Sequence, residues 1–280
     1  MRRDDFDTAT GWRARLALGF ERRGRRTVLA DRRHDGPLVV QKSLHPEGEA
    51  VCHAIVVHPP AGIAGGDDLA IDVRTGAGAH ALLTTPGAGK WYRSSGAWAR
   101  QRVAIDAQPG SCVEWLPQET ILFDASRADI GLEIRLEGDA RAIAWDILCL
   151  GRTGSGESYA AGHARLATRL LRDGRLLWQE RGRLEPGSPA IAAAAGLGGR
   201  SVVGTMIASG AALADEALSA CRAIVPREGE AAVTRLPGLL VARYRGDESE
   251  CAREYFAAIW RLVRPAVAGR EAAMPRIWGT

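Results

Sequence analysis

Apolar and polar residues alternate with a period of two along most of this chain. Trp12–Phe20 reads W-R-A-R-L-A-L-G-F, the pattern of a half-buried strand. Leu38–Gln41 and Val51–His58 repeat it. In the second, Val51, His53, Ile55 and Val57 share one face, and Cys52, Ala54, Val56 and His58 the other. Between these strands, Arg22–Arg33 is basic and runs into D-R-R-H-D-G-P, which reads as a turn-bearing connection. Leu69–Val73 and Ala79–Thr85 are two further strand-like runs, separated and flanked by glycine-rich turns. From residue 69 to about 150 a unit of strand, glycine turn and strand recurs roughly every 30 residues, with Leu83, Trp115 and Trp145 in similar places. That recurrence predicts stacked β layers rather than βαβ units.

The second half continues in the same key. Residues 164–172 and 175–184 form a hairpin about Asp173-Gly174, a dipeptide suited to a type I′ turn. Val202–Ile207, Val233–Arg235 and Leu239–Arg243 read as strands. Helical spacing appears at Ala211–Arg222 and again from about Glu248 to Arg264. The second helix has Asp247 as its expected N-cap and Glu250 as the partner of a capping box. Its expected apolar face is Tyr255, Phe256, Ile259, Leu262 and Val263, and Pro265 is its expected stop. The fold class expected is therefore mainly β: a layered, stacked, antiparallel-rich scaffold with a few helices, one of them C-terminal. The expected division is a β-rich domain over 1–246, holding the helix near 211–222, and a helix and tail over 247–280 packed on it or on a partner. The polar residues 1–10 are expected to fray. The ending M-P-R-I-W-G-T is apolar for a free terminus; Trp278 reads first as docking on its own domain, with a partner contact as the alternative.

Composition narrows the function. The 280 residues are 46% hydrophobic, enough for a sizeable core. No run of about 18 apolar residues exists and the N-terminus lacks an apolar signal region, so no membrane span is expected and a cytoplasmic location is the default. The five cysteines are dispersed without a C-x-x-C pair, which argues for buried small hydrophobes over a disulfide framework or zinc knuckle. Net charge is +4 and almost every cation is arginine, with lysine only at 42 and 90. No basic stripe with interleaved aromatics accompanies them, so no nucleic-acid partner is expected. Arginine suits carboxylates on a protein partner.

Candidate chemistry gathers between His58 and Ser94, where Gly66, Asp67, Asp68, Thr84, Thr85, Lys90, Tyr92 and Arg93 crowd the strand ends. Leu116–Asp124 adds Glu119 and Asp124, a carboxylate pair of unfixed separation. The loop G-R-T-G-S-G-E-S has the spacing of a phosphate-binding loop, but Glu157 stands where lysine is required and a hairpin follows where a helix is required. It reads as a turn presenting Arg152 and Glu157. The six histidines form no H-x-H or H-x-x-x-H pattern, so no three-ligand metal site is visible; His58 is the weak candidate for a transient ligand.

The segments H-P-P-A-G-I-A-G-G-D-D-L, L-L-T-T-P-G-A-G-K-W-Y-R-S, L-P-Q-E-T-I-L-F-D, G-R-T-G-S-G-E and P-R-I-W-G-T, in this order, resemble the urease accessory protein D family, called UreH in some bacteria. Two departures, Ala61-Gly62 for Gly-Gly and Gly89 for threonine, leave the charged positions intact. The resemblance implies a non-enzymatic maturation factor of mainly β fold. It implies binding to the urease apoprotein, to a helical adaptor (UreF-like) and to a nickel-delivering GTPase (UreG-like), with two copies in a symmetric complex. It further implies an internal, water-filled nickel route, for which Asp67, Thr85, Glu119 and Glu157 are the polar-lining candidates. No tightly bound cofactor is implied, only transient nickel, for which oxygen ligands are suitably weak. Tyr255, Phe256, Ile259 and Trp278 are the partner-contact candidates. Two alternatives stand beside it: a metal-dependent hydrolase using Asp67, Asp68, Glu119 and His58, and a β-rich interaction module with no metal role.

Overall fold

The structure, a computed structural model, describes residues 11–210 and 213–279. The segment expected to fray, 1–10, lies outside them. Strands β1 (Arg13–Arg23), β2 (Arg26–Asp35), β3 (Val39–Leu44), β4 (Cys52–Val57), β5 (Asp68–Thr75), β6 (His80–Thr84), β7 (Gly89–Trp91), β8 (Ala99–Ala107) and β9 (Cys112–Trp115) come first. They are followed by β10 (Thr120–Leu122), β11 (Arg127–Leu136), β12 (Arg141–Leu150), β13 (His163–Arg172) and β14 (Arg175–Leu184). After the short helix α1 (Pro189–Ala192) come β15 (Val202–Ser209), α2 (Asp215–Ala223), β16 (Glu230–Leu236), β17 (Leu239–Gly246) and α3 (Ser249–Ala268). Mainly β, layered, with a C-terminal helix: that expectation holds.

The strands form two stacked sheets. The first runs β14-β13-β11-β8-β5-β1-β2; the second runs β16-β17-β15-β12-β9-β6-β4-β3, with β7 and β10 joined to it through β12. The recurring unit is thus one strand in the first sheet, a glycine turn across the sandwich, and one strand in the second. Each turn bonds to the layer beneath: the N–H of Gly76 donates to Phe20 O, that of Gln108 to Thr75 O, and that of Glu137 to Ala107 O, at 2.8–2.9 Å.

The pairing corrects the antiparallel-rich expectation. β1, β5, β8, β11 and β13 are mutually parallel neighbours, as are β4, β6, β9 and β12. Antiparallel pairing is kept for the flanks, β1–β2, β13–β14, β3–β4 and β12–β15–β17–β16. Period-two alternation says which face of a strand is buried but not which strand lies beside it. The register also separates the three aligned aromatics. Leu83 and Ala144 flank Trp115, so Trp145 sits one residue on and points to the other face.

Other expectations change for local reasons. The basic segment after Arg22 contains the strand β2, whose period was hidden because only Thr27 of its residues is fully buried. The first long helix is Asp215–Ala223; residues 211–212 of the expected span lie outside the described set. Asp247 does not cap α3: its carboxylate accepts from the Ser201 N–H and hydroxyl and pairs with Arg200 at 2.6 Å. Glu248 is the flanking residue, with no side-chain cap. Pro265 does not stop α3, which runs to Ala268 and closes at Gly269, where φ is +68° and the N–H donates to Pro265 O. The helix persists past Pro265 because Val267 and Ala268 are buried on its last turn, and one lost N–H is the smaller effect.

Two apolar clusters result. Leu16, Phe20, Ile71, Ile105 and Ile134 meet Ala81, Leu83, Val113 and Trp115 between the sheets. On the outer face of the second sheet, Leu82, Ile143, Trp145 and Met206 pack under α3 through Tyr255, Phe256, Ile259, Trp260 and Val263. Leu262, expected in that face, is 37% exposed. All five cysteines are buried and free. Among the described residues, no helix is long and apolar enough to cross a membrane.

Candidate functional site: a rim of four stacked loops

Each of the first four motifs occupies the same place in successive layers. Residues 58–67 link β4 to β5, 85–98 link β6 to β8, 116–126 link β9 to β11, and 151–162 link β12 to β13. All leave the carboxyl ends of parallel strands in the second sheet, where α/β proteins also gather their ligand-binding loops. The loops stack on each other by backbone bonds. Ile63 N–H donates to Lys90 O, Gly89 N–H to Glu119 O, Phe123 N–H to Trp91 O, Ala125 N–H to Ala161 O and Gly151 N–H to Leu122 O, at 2.7–3.1 Å. β7 and β10 are the parts of this ladder regular enough to count as strands.

Most charged groups of the rim are engaged in holding it. Asp67 accepts the N–H groups of Trp12 and Ala64, both at 2.8 Å. Asp124 accepts those of Ala160 and Ala161 and lies 3.5 Å from Arg93. Glu157 pairs with Arg152 at 2.7 Å and accepts the Asp124 N–H; the Arg152 hydrogen bond holds its carboxyl down at about 2. Arg152 in turn covers the Phe123 ring, which meets Tyr92 edge-on at 5.2 Å. Gly62 lies against that tyrosine so closely that a Cβ there would fall 2.2 Å from the ring. Asp68 is turned outward to Arg15 at 3.0 Å, Gly66 bonds through its N–H to Trp98 O, and Lys90 is exposed.

Two groups depart from this pattern. His58 is half-buried, its Nε2 has no hydrogen-bond partner, and burial pushes its pKa down against the pull of Asp67. Glu119 lies 3.6 Å from Arg253 of α3, and its buried Oε2 accepts no hydrogen bond. Around Glu119, Thr85 takes the Gln118 N–H and Thr84 receives the Trp278 indole N–H at 2.8 Å. The four residues of the hydrolase alternative do not assemble into one group. Among the described residues, no three His, Cys, Asp or Glu side chains converge as metal ligands.

The aromatic candidates are placed inside the chain. Tyr255, Phe256 and Ile259 are buried in the cluster under α3. Trp278, in a short 3-10 turn at Arg276–Gly279, rests 5.4 Å from the Trp145 ring and 5.8 Å from that of Trp260.

Two features escaped sequence reasoning. The first is a buried ionic network. Arg264 donates to Glu114 and to Glu47; Glu114 also binds His80 at 2.7 Å and Trp260 Nε1 at 2.6 Å, and Glu47 binds His53 at 2.6 Å. Burial opposes charge on Glu114, which is 0% exposed, yet His80 and Arg264 outweigh it and its carboxyl is held low; Glu47 is held at about 2 against burial by His53 and Arg264. The second is a cleft of about 630 Å³ between β13–β14 and β12–β15–β17. Asp146 faces it from mid-β12, reached by solvent but walled by protein, with its pKa pushed up to about 7 by burial and by Glu180. Glu180 itself pairs with Arg243 at 2.7 Å. The available signal was a charged residue in a buried phase: Glu114 in C-V-E-W, Asp146 in A-W-D-I-L and Arg264 in the apolar helix.

Comparison with known families decides what the rim belongs to. The family model described as UreD urease accessory protein matches residues 12–279. The chain belongs to the UreD family. The urease accessory protein UreD of Azoarcus sp. (strain BH72) is 55% identical over 272 residues, covering 96% of this chain and 95% of that one. That of Dechloromonas aromatica (strain RCB) is 52% identical over 273 residues, with the same coverage. That of Pseudomonas aeruginosa (strain PAO1) is 49% identical over 277 residues, 99% of this chain and 98% of that one. The family match therefore spans both sheets, the rim and α3 of this chain.

Proposed function

We propose that this chain is a non-enzymatic urease maturation factor of the cytoplasm. It binds the urease apoprotein together with a helical adaptor and a nickel-delivering GTPase, in a symmetric complex with two copies, and helps nickel reach the urease active site as transient cargo. The observation that carries the reading is membership of the urease accessory family along residues 12–279. The rim supports it: Asp67, Asp124 and Glu157 are engaged by backbone N–H groups or arginine, so they are poorly placed as acids, bases or nucleophiles. Weak oxygen donors suit an ion that must leave as easily as it arrives.

Within this reading the route candidates separate. Asp67 and Glu157 shape loops, and Thr85 ties its loop to Gln118. Glu119 Oε2, which accepts no hydrogen bond and lies 3.6 Å from Arg253, is the candidate that contacts nickel, and the carboxylates Asp146 and Glu180 in the largely apolar cleft join the list. The test is urease purified from cells lacking only this protein. Assembled, nickel-poor and inactive urease, restored by the wild-type chain but only in part by Glu119→Gln, is expected. Fully loaded urease in its absence would overturn the role, and full rescue by Glu119→Gln would remove that residue from the route.

A further inference from the structure

Among the described residues the two longer helices, α2 and α3, pack on the second sheet, and the outer face of the first is rich in ionic pairs. Arg135 pairs with Asp106 and Glu133, Arg169 with Glu133, and Arg102 with Asp129. Arginine also faces arginine across strands, as at Arg172–Arg175 beside the β13–β14 turn, and one such corner also holds an indole. At the start of β13 and the end of β14, Arg165 lies directly opposite Arg183 in the antiparallel register. Like charges placed so are destabilising unless something neutralises them. Neither arginine has an ion pair among the described residues. Asp129, beside Arg165 on β11, is committed to Arg102 at 2.7 Å and lies 3.7 Å from Arg100. Glu185, the nearby carboxylate on the other side, faces His163 at 3.4 Å.

These arginines line a groove of about 400 Å³ whose floor is Trp98. The Arg165 guanidinium lies 4.0 Å from the indole centroid and that of Arg127 5.3 Å from it. Arg127 is further held by the Gly96 carbonyl. Stacking on the indole fixes the planes of the forks before anything binds, which lowers the entropy lost when they are used.

We propose that this groove is a carboxylate-binding surface that takes an acidic segment of a protein partner. Arginine forks match carboxylates two bonds at a time, and a bound aspartate or glutamate would relieve the Arg165–Arg183 repulsion. A nucleic acid fits less well. Trp98 is 8% exposed and covered by guanidinium groups, so no ring face is free to stack a base. The inference rests on this corner's charge pattern and stands whether or not the partner is urease.

The experiment is calorimetric titration of the full chain with a hexaglutamate peptide, at low salt and again at about 0.5 M salt, where surface charge is screened. Binding at low salt that falls at high salt is expected. The double variant Arg165→Gln/Arg183→Gln should lose at least tenfold in affinity, with its melting temperature unchanged or raised because a like-charge pair is gone. Arg33→Gln, at an exposed arginine paired with Asp31 on the far side of the sheet, should bind as wild type does. Absence of peptide binding by the wild type at low salt, or binding that survives the double variant, would overturn the proposal. Inorganic pyrophosphate binding the groove more tightly than the peptide would overturn it in favour of a phosphate site.

Discussion

Arg264 is the residue on which most depends. It is fully buried, and its guanidinium is shared by the carboxylates of Glu47 and Glu114. Removing one member of a buried ionic group leaves the others charged and desolvated, at a cost of about 3–5 kcal/mol. Arg264→Met, similar in length and uncharged, should lose about that much in urea unfolding at neutral pH. The pH dependence follows from the same residues. Glu47 and Glu114 are depressed in the folded state, Glu47 to about 2, so their stabilising contribution is full above the ordinary carboxylate range. It is lost as pH falls from about 4.5 toward 2. The variant keeps His53 and His80 but lacks the Arg264 cation that helps to depress both carboxylates, so the gap between the two proteins should narrow through that window. A loss under about 1 kcal/mol, or a gap that stays constant into acid, would show that the network carries no such weight. None of these residues stood out in the sequence as a group, because they lie up to 217 positions apart and only the stacking of layers brings them together.

At the scale of elements, strands were legible and their neighbours were not. The Asp173-Gly174 hairpin was readable because its turn demands positive φ, and the structure has +49° and +74° there. The glycine turns between β5 and β6 look in sequence like hairpin turns, yet they carry the chain across the sandwich. Motif order was readable; that the first four motifs are equivalent loops of one rim was not, since equivalence is a property of the stack. The C-terminal tail shows the same division. Its apolar character was evident, but its seat against Thr84, Trp145 and Trp260 joins segments nearly 200 residues apart. Trp278→Ala removes that seat, and since the ring is only partly buried a loss of about 2 kcal/mol is expected. Hydrogen exchange should then speed up selectively over residues 270–279, leaving the central strands protected. Unchanged exchange in the tail would mean Trp278 does not hold it.

For the whole molecule, the second sheet is buried on both faces and the first on one. A largely parallel sheet normally has both faces covered; here the first sheet instead has a solvated outer face bearing ion pairs and arginine. The second cannot be solvated that way, because Leu82, Ile143, Trp145, Ile147 and Met206 form its outer face. α3 covers them, and it also supplies the cation for Glu114 on β9. A chain ending at residue 246 would therefore expose a broad apolar face and leave two carboxylates near the sheet without their arginine. Such a chain is expected to lose cooperative thermal unfolding and to bind a hydrophobic dye, the signs of a compact state without fixed packing. Adding a peptide of residues 247–280 should restore part of the transition if the helix alone is missing. A truncated chain that melts sharply and binds no dye would show that the two sheets are self-sufficient. α3 would then be free to leave them, and its buried Tyr255, Phe256 and Ile259 would become available to a partner after all.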